Sequence, residues 1–81
     1  MTDHELDHIV SKARDAKRGG WGVQSTGEKL ASALVLNRAD WLAEMNYTIA
    51  EAIERVGAAW VSRIPEAAKR LEYEDEADAE D

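Results

Sequence analysis

The sequence has no cysteine, no phenylalanine, a single proline and only five glycines in 81 residues. Without cysteine there is no disulfide framework, no thiolate metal site and no thiol nucleophile, so apolar packing alone must hold the fold. A reducing cytoplasm suits such a chain. No run approaches the roughly 18 apolar residues of a membrane span. The opening Met1-Thr2-Asp3-His4-Glu5 is polar and acidic, where a signal peptide has a basic start and an apolar stretch. Neither secretion nor membrane association is expected. No segment alternates with a period of two and β-branched enrichment, which argues against a sheet. The length leaves room for one small domain.

What is present is charge and helical periodicity. Apolar residues make up 44% of the chain and charged residues 33%, with 17 acids against 10 bases and a formal charge of -7. Seven of those acids fall between Glu72 and Asp81, a stretch with no base, so residues 1–71 are formally neutral. An acidic block with only Tyr73, Ala77 and Ala79 to bury is expected to be a disordered tail over 72–81, following a helical domain over 1–71. Basic residues cluster at Lys12, Arg14, Lys17 and Arg18, and again at Arg63, Lys69 and Arg70. Both clusters are placed by the periodicity near helix C-termini, where positive charge complements the macrodipole. A contact between the acidic tail and the first cluster is an alternative use of the same charges.

Three tetrapeptides fit the capping box, in which a Ser or Thr accepts from an amide three residues on and a Glu bonds back. They are Thr2-Asp3-His4-Glu5, Ser25-Thr26-Gly27-Glu28 and Thr48-Ile49-Ala50-Glu51. The first opens a helix with the stripe Leu6, Ile9, Val10 and Ala13, stopped by Gly19-Gly20. The second opens a helix whose Leu30, Ala31, Ala33, Leu34, Val35 and Leu36 are apolar on nearly every side, as expected of a central helix. Asp40 is positioned to cap a short helix from Trp41 to Met45, closed by a left-handed Asn46. The third box opens a helix with Ile49, Ala52, Ile53, Val56, Trp60 and Ile64 on one face. Pro65 breaks that helix near Ile64 and starts a last one carrying Ala67, Ala68 and Leu71. The fold class is therefore all-α: an irregular or orthogonal bundle of four main helices plus one short helix.

Chemical motifs are few, and each has a stronger structural explanation. His4-Glu5-Leu6-Asp7-His8 matches HExxH, in which two histidines hold zinc and the glutamate activates water. These are the only two histidines, and a catalytic zinc needs a third protein ligand and a cleft, so solvated first-turn residues are expected instead. Gly22 to Lys29 approaches the phosphate-binding loop, but Glu28 stands where the lysine belongs and Leu30 where a hydroxyl belongs. Thr48 to Ile64 fits a helix-turn-helix poorly: with Gly57 in the turn, Pro65 would fall in the recognition helix, and Arg63 is its one cation. No catalytic, cofactor-binding or metal-binding residue is assigned. The chain is expected not to be an enzyme and not to bind nucleic acid directly.

The aromatic residues remain. Trp60 sits on the apolar stripe of its helix and is expected inside, whereas Trp21, among glycines, is the leading candidate for an exposed anchor. Leu36, Trp41 and Val61 add more apolar surface than one small bundle needs, which points to a partner-binding groove or a homodimer. Candidate partner-binding residues are Trp21, Trp41 and Tyr47, with Glu74, Asp75 and Glu76 of the tail.

Several stretches, Ser25 to Leu30, Leu34 to Arg38, Asp40 to Met45, Tyr47 to Ala52 and Ile64 to Ala68, together resemble small helical proteins of bacterial phages and plasmids. The resemblance covers about half the chain and carries no functional motif. It implies an accessory or host-directed role in a bacterial cytoplasm. The resulting expectation is a non-enzymatic interaction or regulatory protein that binds a protein partner. The alternative is an acidic mimic of nucleic acid that inhibits a host DNA- or RNA-binding protein. A small DNA-binding regulator is a minor third.

Overall fold

The computed structural model describes residues 3–79, and the side chains of residues 3–75. Among the described residues every regular element is helical: α1 (His4–Asp15), α2 (Thr26–Val35), α3 (Ala39–Glu44), α4 (Ile49–Val56), α5 (Ala58–Val61) and α6 (Ile64–Ala79). A wide helical turn over Ala16–Gly20 and a tight one over Trp21–Val23 link α1 to α2.

Local chemistry explains most boundaries. Ser25 and Thr48 form complete capping boxes with Glu28 and Glu51, each Ser or Thr oxygen accepting from the Glu amide and each Glu accepting from the cap amide. Helix α1 departs from the expected register. Its cap is Asp3, whose carboxylate accepts from the Leu6 amide at 3.0 Å; an aspartate one position nearer the stripe serves as well as a threonine. Thr2 lies outside the described residues. Gly19 turns the chain with φ 103°, and Asn37 and Asn46 do so at φ 55° and 63°, the left-handed conformation asparagine tolerates best after glycine. The short helix α3 starts after Arg38 rather than on an Asp40 cap. Asp40 instead receives two hydrogen bonds from the Arg38 guanidinium, at 2.8 and 3.0 Å.

The expected long helix from Thr48 to Ile64 is two helices. Gly57, at φ 91° and ψ 156°, ends α4 and starts α5. The break near Ile64 is present as well, with Pro65 in the first turn of α6, where its missing N–H has no intrahelical partner to lose.

Two apolar clusters lie on either side of α2. The first joins Leu6, Ile9, Val10 and Ala13 of α1 to Val35, Ala67 and Leu71. The second joins Leu30 and Ala33 to Leu42 of α3 and Ala52 of α4. A helix with a core on both faces must be apolar nearly all round, which is why α2 lacks a polar stripe. Its one buried polar side chain, Ser32, donates to Gln24 Oε1 at 3.0 Å, and Gln24 Nε2 donates to the Lys12 carbonyl at 2.7 Å. The glycine-rich loop is thus pinned to both α1 and α2.

Helices α1 and α6 run side by side in the same direction, and their charges match along the length. Arg63 holds Asp3 and Glu5 at 2.9 and 3.2 Å, Arg70 holds Asp7 at 3.2 Å, and further on Arg14 and Lys17 hold Glu74 and Asp75. Helix α6 runs past Leu71 through Ala79, and Glu74 and Asp75 meet the basic end of α1, the contact that the charge pattern offers as an alternative. Arg70 lies within α6 and pairs with Asp7 of α1 instead of sitting near a helix C-terminus, whereas Arg63, between α5 and α6, donates to the Ala59 carbonyl of α5 as well as pairing with Asp3 and Glu5. The expectations for Glu80 and Asp81 lie outside the described residues.

Candidate interaction surface

Trp21 and Trp41 come together. Their rings stack at 4.7 Å between centroids, 21° from parallel. The Trp21 Nε1 donates to the Lys29 carbonyl at 3.0 Å. Lys29 Nζ lies 5.2 Å from the Trp21 ring, and the Arg38 guanidinium 4.3 Å from the Trp41 ring. Each half-buried indole therefore already has a ring and a cation against it. Trp21 is not a free anchor on a loop; the Trp21–Val23 turn folds it back against α3, and its neighbour Val23 stands exposed instead. Tyr47 is half-buried against the second apolar cluster. Trp60 is at the edge of the first cluster rather than deep inside it, with the His8 ring tilted against it at 5.4 Å.

Two isoleucines that periodicity assigns to the core stand exposed on the bundle. Ile49 is 58% exposed and Ile53, one turn on, is 42% exposed. Ala52 is the α4 residue buried against α2, with Val56 half-buried. Since Gly57 ends the helix after two turns, α4 meets α2 through Ala52 and Val56, leaving the two isoleucines on its flank. A dent of about 150 Å³ lies beside Ile49, lined by Ala33, Leu34, Arg38, Ala39 and Leu42. Arg38 connects this dent to the Trp41 ring, and Asp40 is held below the usual carboxylate range by the same guanidinium. The glycine at position 57 was the one sequence signal that could have revealed this surface.

The acidic candidates are elsewhere. Glu74 and Asp75 face α1, and Arg14 donates to Glu74 from both Nε, at 3.3 Å, and Nη2. That hydrogen bonding holds the Glu74 carboxyl below its ordinary range. The side chain of Glu76 lies outside the described residues.

The residues of the apparent HExxH motif do not converge. His8 Nε2 is 3.1 Å from Glu28 Oε2, the carboxylate that also closes the α2 capping box, and His4 is exposed in the first turn of α1. Among the described residues no three His, Asp or Glu side chains gather as a metal site. The Ser25-to-Lys29 stretch is the α2 capping box, its Glu28 carboxyl lowered chiefly by the Ser25 amide and also by His8 and Lys12. Helix α5 has four residues, too short to cross a DNA groove as a recognition helix.

The chain matches no known protein-family model, no curated protein sequence and no solved structure. No helix among the described residues is long and apolar enough to cross a membrane.

Proposed function

We propose that the chain is a non-enzymatic interaction protein whose bundle binds a protein partner through the flank of α4 and the dent beside it. What supports this is the exposure of Ile49 and Ile53, adjacent on one helix face and next to a dent floored by Leu34 and Leu42. Apolar anchors that insert into or beside a shallow pocket, bordered by an Arg–aromatic pair, are the usual centre of a binding surface. Trp41 and Arg38 would form its border, and Trp21 would act by supporting Trp41 from behind. An accessory role for a phage or plasmid, inside a bacterial cell, is the setting that the sequence resemblance gives this proposal.

The test is affinity capture with three forms of the chain: unmodified, Ile49→Asp/Ile53→Asp, and one lacking residues 72–81. A partner retained by the unmodified and shortened forms and lost by the double variant, with helical circular dichroism unchanged, is the expected result. Retention by the double variant would overturn it. A homodimer through the same surface would appear as a doubled mass in sedimentation, again lost in the double variant.

A second reading has its own observation. Glu74 and Asp75 engage Arg14 and Lys17, the side-chain types that hold nucleic-acid phosphates. Acids that satisfy an arginine fork within the chain could do so on a host protein, as a phosphate mimic would. In that case capture depends on residues 72–81 and falls steeply with salt.

A further inference from the structure

The end of α1 and the wide turn after it carry Arg14, Lys17 and Arg18, at the i, i+3, i+4 spacing that puts side chains on one helix face. They line a cleft of about 390 Å³ whose other walls are Leu71, Glu74 and Asp75. Two carboxylates occupy it. Arg14 grips both oxygens of Glu74 through two nitrogens, Lys17 contacts Asp75, and Arg18 adds its charge to the field at Glu74.

The two sides of this contact are held very differently. The basic side is carried by the end of α1 and the first residues of the turn after it, with Ala13 and Ala16 buried between the cations. On the acidic side Leu71 is buried, and Glu72 to Asp75 are all exposed. Glu74 and Asp75 meet the basic side through exposed ion pairs, and such pairs are weak and screened by salt.

We propose that Arg14, Lys17 and Arg18 form a binding site for the phosphodiester backbone of nucleic acid, which Glu74 and Asp75 occupy as an internal competitor. A forked guanidinium contact to two oxygens of one anion is the geometry with which arginine holds phosphate. Consecutive residues Glu74 and Asp75 present consecutive anions to Arg14 and Lys17, as neighbouring phosphates of a strand present theirs. A lipid surface fits less well, because Leu71 is the one apolar residue lining the cleft. With the acids in place, and a formal charge of -7 on the whole chain, the site is closed to polyanions. This site is separate from the α4 flank and stands or falls without it.

Fluorescence anisotropy with a labelled oligothymidine tests the proposal on the full-length chain. Glu74→Gln/Asp75→Asn is expected to bind roughly tenfold more tightly than the unmodified chain, and to lose roughly tenfold between about 50 and 200 mM salt. Adding Arg14→Ala/Arg18→Ala should abolish the gain. Glu44→Gln/Glu54→Gln makes the same change in net charge on exposed residues elsewhere, and should leave binding unchanged. Glu74→Gln alone, expected to give a smaller gain, replaces the double variant if circular dichroism finds the latter unfolded. No gain, an equal gain in the Glu44/Glu54 control, or a gain that survives loss of Arg14 and Arg18 would each overturn the proposal. So would binding of a phosphopeptide or anionic vesicles in preference to the oligonucleotide.

Discussion

Trp21 on the glycine-rich loop and Trp41 on α3 lie face to face, 4.7 Å between ring centroids. The stack ties the glycine-rich loop to the short helix α3, and the Trp21 indole N–H is satisfied on α2. Aromatic pairs of this kind contribute beyond the area they bury. Trp21→Ala and Trp41→Ala are each expected to lower stability by roughly 2–3 kcal/mol, as read from urea denaturation. The double variant should fall short of the sum by about 1 kcal/mol. Full additivity would mean that the two rings act independently.

The carboxyls of Asp3, Glu28, Asp40, Glu51 and Glu74 are all held below their ordinary values of 3.8 for Asp and 4.5 for Glu. The first cause is a backbone amide for Asp3, Glu28 and Glu51, and an arginine for Asp40 and Glu74. A group that ionises more readily in the folded chain than in the unfolded one stabilises the fold above its unfolded pKa. That stability disappears as pH falls through the lowered folded value. The melting temperature is therefore expected to be flat from neutral pH down to about pH 5 and to drop below that. Asp3→Asn combined with Glu28→Gln should flatten the drop. An unchanged acid limb in that variant would show that the helix caps are not what titrates.

The all-helical class, two of the helix starts and the buried stripe of α1 are legible in the sequence because local and longer-range signals agree there. Ser25 with Glu28 and Thr48 with Glu51 announce helix starts, and Leu6, Ile9, Val10 and Ala13 announce the buried face behind one of them. Legibility ends where a residue has two good local roles. Gly57 can sit in a helix at a modest cost or end it, and only the packing of Ala52 against α2 decides. The same decision moved Ile49 and Ile53 from the expected core to the surface. The acids after Leu71 read first as a solvated tail, and charge complementarity alone names the Lys12-to-Arg18 cluster as their alternative, because no sequence window gives the register that brings Arg14 to Glu74 across the fold.

Of the two histidines of the HExxH stretch, His8 has a packing role and His4 is exposed. His8 lies against Trp60 and beside Glu28, so His8→Ala is expected to cost under about 1 kcal/mol through lost contacts. Chelator should leave the melting temperature unchanged. A rise of several degrees on adding zinc, absent in His4→Ala, would assign the pair to metal instead.

Two glycines make opposite predictions from the same substitution. Gly27 lies in the first turn of α2 with helical neighbours on both sides, and nothing stands within 4 Å of a Cβ built there. Alanine at that position loses less freedom on folding and fits the helix better, so Gly27→Ala should stabilise by about 0.5–1 kcal/mol. Gly57 has equally open space around its Cβ position, but its backbone sits at φ 91° and ψ 156°. That region is essentially reserved to glycine, and forcing a side chain into it costs of order 1–3 kcal/mol. Space alone would rank the two substitutions as equals, whereas backbone conformation makes Gly57→Ala destabilising. If Gly57→Ala proved as stable as the unmodified chain, α4 and α5 would have to join into one continuous helix. Ile49 and Ile53 would then turn inward, and the proposed partner surface on α4 would vanish with the break that creates it.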